Sequence, residues 1–268
     1  MLFPGTTKLG AGSGIAQSIQ VIILFTLFLK KTARETHGTN LWHFNPSLFK
    51  QALKIGLPSS LSGVFETLAW CALALLLASI SEAHLTLFAI GDSFFALFTF
   101  GFWGLQKGIT IVAANYIGAF REAVISKVLQ SGVNLVILMM LIFTIPLFIY
   151  PQVLAKWFLN PQIMNEEIRQ FTEIVMRWLW VYFLFDGIAW LFCGVLTAAG
   201  DTKFVMIMNG ISAWAFCIIP AYFWVTYLEG SPVVSWIWCS FYGLMNAFSF
   251  FLRYKSKRWV TEQLLHVG

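Results

Sequence analysis

Two acidic residues stand where an isolated charge is costly. Glu66 lies in Phe65-Glu66-Thr67-Leu68-Ala69-Trp70 and Asp186 in Phe185-Asp186-Gly187-Ile188-Ala189-Trp190, each inside a long apolar run. A carboxylate in the middle of a membrane helix costs roughly 2.5–3.5 kcal/mol or more unless it faces a cavity, is paired or takes up a proton. Such a residue serves either a structural hydrogen bond between helices or an ion or proton site, and the second use is the commoner. Tyr182 precedes Asp186 by four residues and Trp190 follows it by four, so all three share one helix face. A phenol there can donate to the carboxylate or line a cation site. Asn209 is a secondary candidate on the next apolar run. Lys107, also inside a run, either snorkels to the cytoplasmic surface or pairs with a carboxylate. Asn134 and Asn246 read as interhelical hydrogen bonds, and Asp92, near the end of a run, reads as solvated.

The elements that hold these residues follow from composition. Of 268 residues, 59% are hydrophobic and 11% charged, against roughly 25% charged in a soluble domain. That excess excludes a water-soluble fold and disorder alike. The net charge of +5 is spread along the chain without a dense patch, which disfavours nucleic acid as a partner. An all-α polytopic membrane protein is therefore expected, with the lipid bilayer as solvent. Seven apolar runs, near 10–29, 57–80, 87–116, 131–150, 178–199, 204–227 and 232–252, are each long enough to cross the core as a helix. The third contains Gly101, Gly104 and Gly108 and is expected to tilt or kink. Counted from the span ends, Glu66 lies roughly 14 Å from the inner boundary and Asp186 roughly 12 Å from the outer one. In a core of about 30 Å, two antiparallel helices thus bring the carboxylates to within about 4 Å of one level.

Orientation follows from Lys and Arg. With the N-terminus outside, twelve fall on the cytoplasmic side: Lys30, Lys31, Arg34, Lys50, Lys54, Arg121, Lys127, Lys203, Arg253, Lys255, Lys257 and Arg258. Lys8, Lys156, Arg169 and Arg177 fall outside. The expected order is a helix over 1–29, a cytoplasmic connector over 30–54, a six-helix lobe over 55–253 and a basic cytoplasmic tail over 254–268. A signal peptide is the rival reading of 1–29, but Lys30-Lys31 after the run fits a stop-transfer helix better. Residues 1–9 read as the middle of a longer ancestral protein. Charges at Glu166, Glu167, Arg169, Glu173 and Arg177 can support a helix start before the fifth span. Cys71, Cys193, Cys217 and Cys239 lie in apolar runs and are expected as free thiols. His37, His43, His84 and His266 lack metal-site spacing. Without a nucleotide loop, a zinc-protease motif or a catalytic constellation, neither enzymatic activity nor a cofactor is indicated.

In sum these features resemble the multidrug and toxic compound extrusion (MATE) family. The resemblance rests on Lys54-Ile-Gly-Leu-Pro-Ser-Ser-Leu61 ahead of Glu66, Gly104-Leu-Gln-Lys-Gly-Ile-Thr110 leading to Tyr116-Ile-Gly-Ala119, and Asp186 followed by Gly194-Val-Leu-Thr-Ala-Ala-Gly-Asp-Thr202. Gly10-Ala-Gly-Ser-Gly-Ile-Ala16 is similar to the opening of the family's sixth helix. The resemblance implies the last seven of twelve helices, the final helix of an N-lobe followed by the C-lobe. It also implies that Glu66, Tyr182 and Asp186 match the C-lobe cation site of NorM-like members. It implies an inner-membrane antiporter lobe that exports small organic, often cationic, compounds in exchange for Na+ or H+, with Na+ or H+ at Glu66 and Asp186. A lipid-linked oligosaccharide flippase of the same superfamily and a non-transporting remnant of an interrupted gene are the alternatives. One lobe lacks one wall of the path, so a separately supplied N-lobe or a second copy is the expected partner.

Overall fold

The computed structural model describes residues 4–39, 43–158, 166–228 and 230–260. Outside the described residues lie 40–42 of the expected connector, 159–165, and 261–268 of the basic tail with His266. The side chains of Lys8, His37 and Glu167 lie outside them as well. The chain divides into two compact units, Met1–Ala52 and Leu53–Gly268.

In the first unit, α1 (Pro4–Phe28) is followed by the short α2 (Lys31–His37). Gly38, at φ 63°, ends α2 in the left-handed conformation that glycine adopts without strain, and its N–H donates to the Arg34 carbonyl. The Asn45-Pro46 pair opens the next helix, α3 (Pro46–Ile80). The Asn45 side chain accepts from the backbone N–H groups of Ser47 (3.0 Å) and Leu48 (3.2 Å), while Pro46 occupies the position where an N–H has no helical partner. The helix then runs through Pro58, which the motif reading placed at a span start.

The remaining elements belong to the second unit. They are α4 (Glu82–Gly118), α5 (Ile125–Phe143), α6 (Pro151–Phe158), α7 (Glu166–Ala198), α8 (Thr202–Ala213), α9 (Ile219–Tyr227) and α10 (Val234–Lys255). The third span is α4, 37 residues of uninterrupted α-helix through Gly101, Gly104 and Gly108. Regular winding is instead interrupted elsewhere, by π-helical turns at Thr144–Ile149, after α5, and at Trp214–Ile218, between α8 and α9. Pro146 lies within the first and Pro220 just beyond the second. A proline has no N–H for the carbonyl four residues back and its ring crowds that carbonyl, which favours a widened turn.

Among the described residues, five helices are long and apolar enough to cross a membrane: Pro46–Ile80, Glu82–Gly118, Glu122–Ile149, Ile168–Ala198 and Thr202–Tyr227. Gln17–Phe28 is a shorter apolar helix. The seventh expected span forms α10, 22 residues long, which is less apolar than the five. Its polar side chains, among them Ser235, Ser240 and Asn246, are buried against protein rather than lipid. The fifth helix starts well before the expected 178. Arg169 pairs there with Glu166 and, at 3.5 Å, with Glu173, so exposed ion pairs carry the helix beyond its apolar stretch.

The core is built around α7, packed by α10 along one side and α4 along another. Val175, Met176, Leu179, Phe183, Leu191, Val195 and Leu196 of α7 have no exposed surface. Two glycines set how closely the backbones approach. A Cβ on Gly194 would lie 3.1 Å from the Gln106 carbonyl oxygen of α4, and one on Gly243 of α10 would lie 3.3 Å from the Tyr182 ring. All four cysteines are free thiols, as expected.

Candidate functional site

Glu66 comes from the middle of α3 and Asp186 from the middle of α7. The fold brings them near enough to act on each other electrostatically. Asp186 is buried at 4% exposure, whereas Glu66 is partly exposed and lines a cavity of about 240 Å³. Trp190 forms part of the same cavity wall and donates its indole N–H to Asp186 Oδ2 at 2.7 Å. The shared helix face read from the spacing of Tyr182, Asp186 and Trp190 is therefore a working arrangement. Tyr182 also lies near Asp186, one turn before it on α7 and so on the side away from Trp190.

Two residues not singled out in the sequence complete the surroundings. Tyr242 of α10 and Trp70 of α3 lie near Glu66. Tyr182, at 1% exposure, is fixed by aromatic packing, with its ring 5.7 Å from that of Phe95 and 6.4 Å from that of Trp236. Trp70 stacks on Phe88 at 5.9 Å and on Phe95 at 5.7 Å. Aromatic side chains thus flank both carboxylates, and Trp190 donates to Asp186. Among the described residues, none of the ion pairs involves Glu66 or Asp186.

A polar chain adjoins the pair. Asn246 Nδ2 of α10 donates to Asn209 Oδ1 of α8 at 3.1 Å, and Asn209 Nδ2 donates to Ser62 Oγ of α3 at 3.0 Å. Ser62 lies one turn before Glu66 and lines the cavity with it, as does Asn209. The chain joins three helices, and Asn246 Oδ1 is buried with no partner among the described residues. Asn209 and Asn246 therefore make the interhelical bond expected of Asn246. Asn134 does not: it is exposed on α5 and forms no such bond among the described residues.

Lys107 also lines the cavity, together with Trp103, Gln106 and Thr197. It is exposed and pairs with no carboxylate among the described residues. Asp92 is exposed, as expected of a solvated residue. Cavity walls of carboxylate, amide, hydroxyl and indole groups can bind an organic cation by charge and by ring-face contact. Oxygen donors of this kind also suit a hard monovalent ion or a proton.

A second charged arrangement was missed because its members lie far apart in sequence. Arg253 of α10 grips Asp201, in the turn before α8, through Nε to Oδ2 at 2.6 Å and a terminal nitrogen to Oδ1 at 3.2 Å. The guanidinium also sits 4.8 Å over the Phe204 ring.

A family model described as MatE matches residues 58–223. A probable multidrug resistance protein NorM of Bacillus thuringiensis subsp. konkukian is 22% identical over 239 residues, covering 88% of this chain and 52% of its own length. The multidrug export protein MepA of Staphylococcus aureus is 23% identical over 229 residues, 84% of this chain and 48% of that protein. A probable NorM of Mesorhizobium japonicum is 24% identical over 213 residues, 76% and 45% respectively. The chain spans about half the length of the curated relatives it matches.

Proposed function

The chain belongs to the MatE family, and from that premise we propose that it forms one lobe of a secondary antiporter exporting small organic, often cationic, compounds in exchange for Na+ or H+. The observation that supports the proposal is that Glu66 of α3 and Asp186 of α7 lie near enough to interact electrostatically, with no cationic side chain bound to either among the described residues. Two neighbouring carboxylates repel, and the repulsion is relieved when a cation or proton is shared between them. Tyr182 and Tyr242 hold the carboxylates in place, and Trp190 and Trp103 offer ring faces to a flat organic cation. No further cofactor takes part. The chain resides in the inner (plasma) membrane as a multi-pass protein and acts by transport, not by catalysis.

Coupling follows from linkage. A cation at the Glu66–Asp186 pair favours one access state and the organic substrate favours the other, each only to the extent that it binds the two states with different affinity. Because the relatives are about twice as long, the proposal concerns one wall of the path, and a second unit facing the cavity completes it. A lipid-linked oligosaccharide flippase would need a strongly cationic cavity, and among the described residues Lys107 is the one cation lining the cavity beside Glu66.

The test is Glu66→Gln and Asp186→Asn, singly and together, in an assembly of both walls reconstituted into vesicles. The amides keep size and hydrogen bonding but lose the charge. Cation-gradient-driven movement of a fluorescent organic cation is expected to fall in each variant, with membrane insertion unchanged. Undiminished gradient-driven transport by the double variant would remove this pair from the mechanism.

A further inference from the structure

α4 and α5 both pack on α7, and between them runs a groove of about 850 Å³. It shares no lining residue with the cavity beside Glu66. Its walls are mainly apolar, among them Leu105, Val112, Val128 and Leu135. Gly104 and Gly108 leave its floor open, with no atom beyond their own local backbone within 4 Å of where a Cβ would stand. Along α4 the lining extends from Gly101 to Tyr116, which at 1.5 Å per residue is roughly 22 Å. One leaflet of the hydrocarbon core is about 15 Å deep, so the groove takes an acyl chain over the whole depth of a leaflet. Volume divided by length gives a mean cross-section of about 40 Å², half or less of the roughly 80–110 Å² of a helix 10–12 Å across. A hydrocarbon chain therefore fits inside, whereas a helix does not.

The polar groups of the groove gather at one end. Tyr116 stands two residues before the end of α4 at Gly118, and Lys127 two residues after the start of α5 at Ile125. Both line the groove, at the end where the two helices meet their connecting turn. Lys127 is exposed and pairs with no carboxylate among the described residues. The turn adds Arg121 and Glu122, whose charges offset each other, so the mouth keeps a net positive charge. An ammonium and a phenol at the membrane boundary, above a channel walled by hydrocarbon, match the phosphate and the tail of one lipid. A zwitterionic head brings its own cation and gains less from Lys127. We propose that the α4–α5 groove is a binding site for an anionic phospholipid, with its phosphate at Lys127 and Tyr116 and an acyl chain along Gly104 and Gly108. The bound lipid adjoins the stretch of α4 that carries Trp103, Gln106 and Lys107 into the cavity beside Glu66.

The test uses the full chain, purified and delipidated in detergent, then titrated with phosphatidylglycerol or phosphatidylcholine of identical acyl chains and read by native mass spectrometry. One phosphatidylglycerol per chain is expected to bind first, about fivefold more tightly than phosphatidylcholine. That factor is what one basic residue near a membrane surface supplies, at about 1 kcal/mol. Lys127→Gln should bring the two lipids level while still binding both. Gly104→Leu with Gly108→Leu fills the groove from its floor and should lose both lipids, with no fall in the unfolding midpoint, because the new side chains enter open space. A phosphatidylglycerol with a photoreactive acyl chain, which reads the wild type and does not depend on how a variant folds, should label α4 and α5 within residues 101–142. Equal affinity of the wild type for the two lipids, a preference that survives Lys127→Gln, or labelling confined to other helices would each overturn the proposal. So would a dimer of the chain that the double glycine variant dissolves, since a second copy would then be the occupant.

Discussion

Replacing Arg253 by alanine strands Asp201. The carboxylate is 1% exposed and accepts two bonds from the guanidinium, whose own side chain is 15% exposed. Removing one member of a buried pair costs about 3–5 kcal/mol, because the remaining charge keeps its desolvation penalty without its partner. The residual exposure of Arg253 lets water reach part of the gap, which puts the expected cost near the lower end, about 3 kcal/mol. Loss of the contact with Phe204 adds about 0.5–1 kcal/mol. For a unit of this size each kcal/mol shifts the midpoint by roughly 2–4 °C, so Arg253→Ala, at about 3.5–4 kcal/mol in all, should unfold roughly 7–16 °C below the wild type. Thermal unfolding in detergent, followed by circular dichroism, reads this directly. Arg253→Lys should recover only part of the loss, since an ammonium cannot meet both oxygens or lie flat on Phe204. Asp201→Leu combined with Arg253→Met should be more stable than Arg253→Ala, because it leaves no buried charge. A fall of under about 2 °C for Arg253→Ala, or wild-type stability for Arg253→Lys, would refute the reasoning.

Three further outcomes are expected. Gly243→Val should cost about 1–3 kcal/mol of stability, since its Cβ meets a Tyr182 ring already enclosed by Phe95, Phe183 and Trp236; an unchanged unfolding midpoint would show that α10 can move away freely. Asn209→Leu should cost about 1–3 kcal/mol by leaving the Asn246 amide without its acceptor, and Asn209→Leu with Asn246→Leu should be the more stable of the two. The Glu166 carboxyl is held below its usual value near 4.5, first by the hydrogen bond from Arg169 and next by that from Gln170. The folded protein binds that proton less tightly than the unfolded chain, so the contribution is complete above the ordinary value and lost as pH falls through the lowered one. The acid dependence of helicity should lose this component in Glu166→Gln, and an identical profile in that variant would exclude it.

Much of the architecture is legible in the sequence for a physical reason. Lipid permits only long apolar helices, so the runs that hold Glu66 and Asp186 announce themselves. Helix ends are less legible, because α7 continues through Glu166 and Arg169 on ion pairs that carry no apolar signal. The two carboxylates could be paired by depth alone, since antiparallel helices convert sequence offset into height. Tyr242 and Trp70 could not, because 27 Phe, 12 Trp and 7 Tyr make any one aromatic residue uninformative before its neighbours are known. The spacing of Tyr242 and Asn246, one turn apart on α10 beside the site, was the available clue. Asp201 and Arg253 each sit at the edge of an apolar run, where a charge reads as a marker of the membrane boundary. Only the packing of α10 against the turn before α8 shows that they satisfy each other.

The widened turn at Trp214–Ile218 also bears on which length changes the helix can absorb. A π-helical turn is in effect an α-helix carrying one spare residue. Deleting a single residue within it restores ordinary winding and leaves both flanks facing as before. The same deletion in the regular part of α9 rotates everything beyond it by about 100°. Tyr222 and Thr226, now exposed, would then move into the places of Ala221 and Val225, which are 0% and 4% exposed. The hydrophobic phase of the α8–α9 rod is thus buffered at one place along its length, and that place is the turn that carries Cys217.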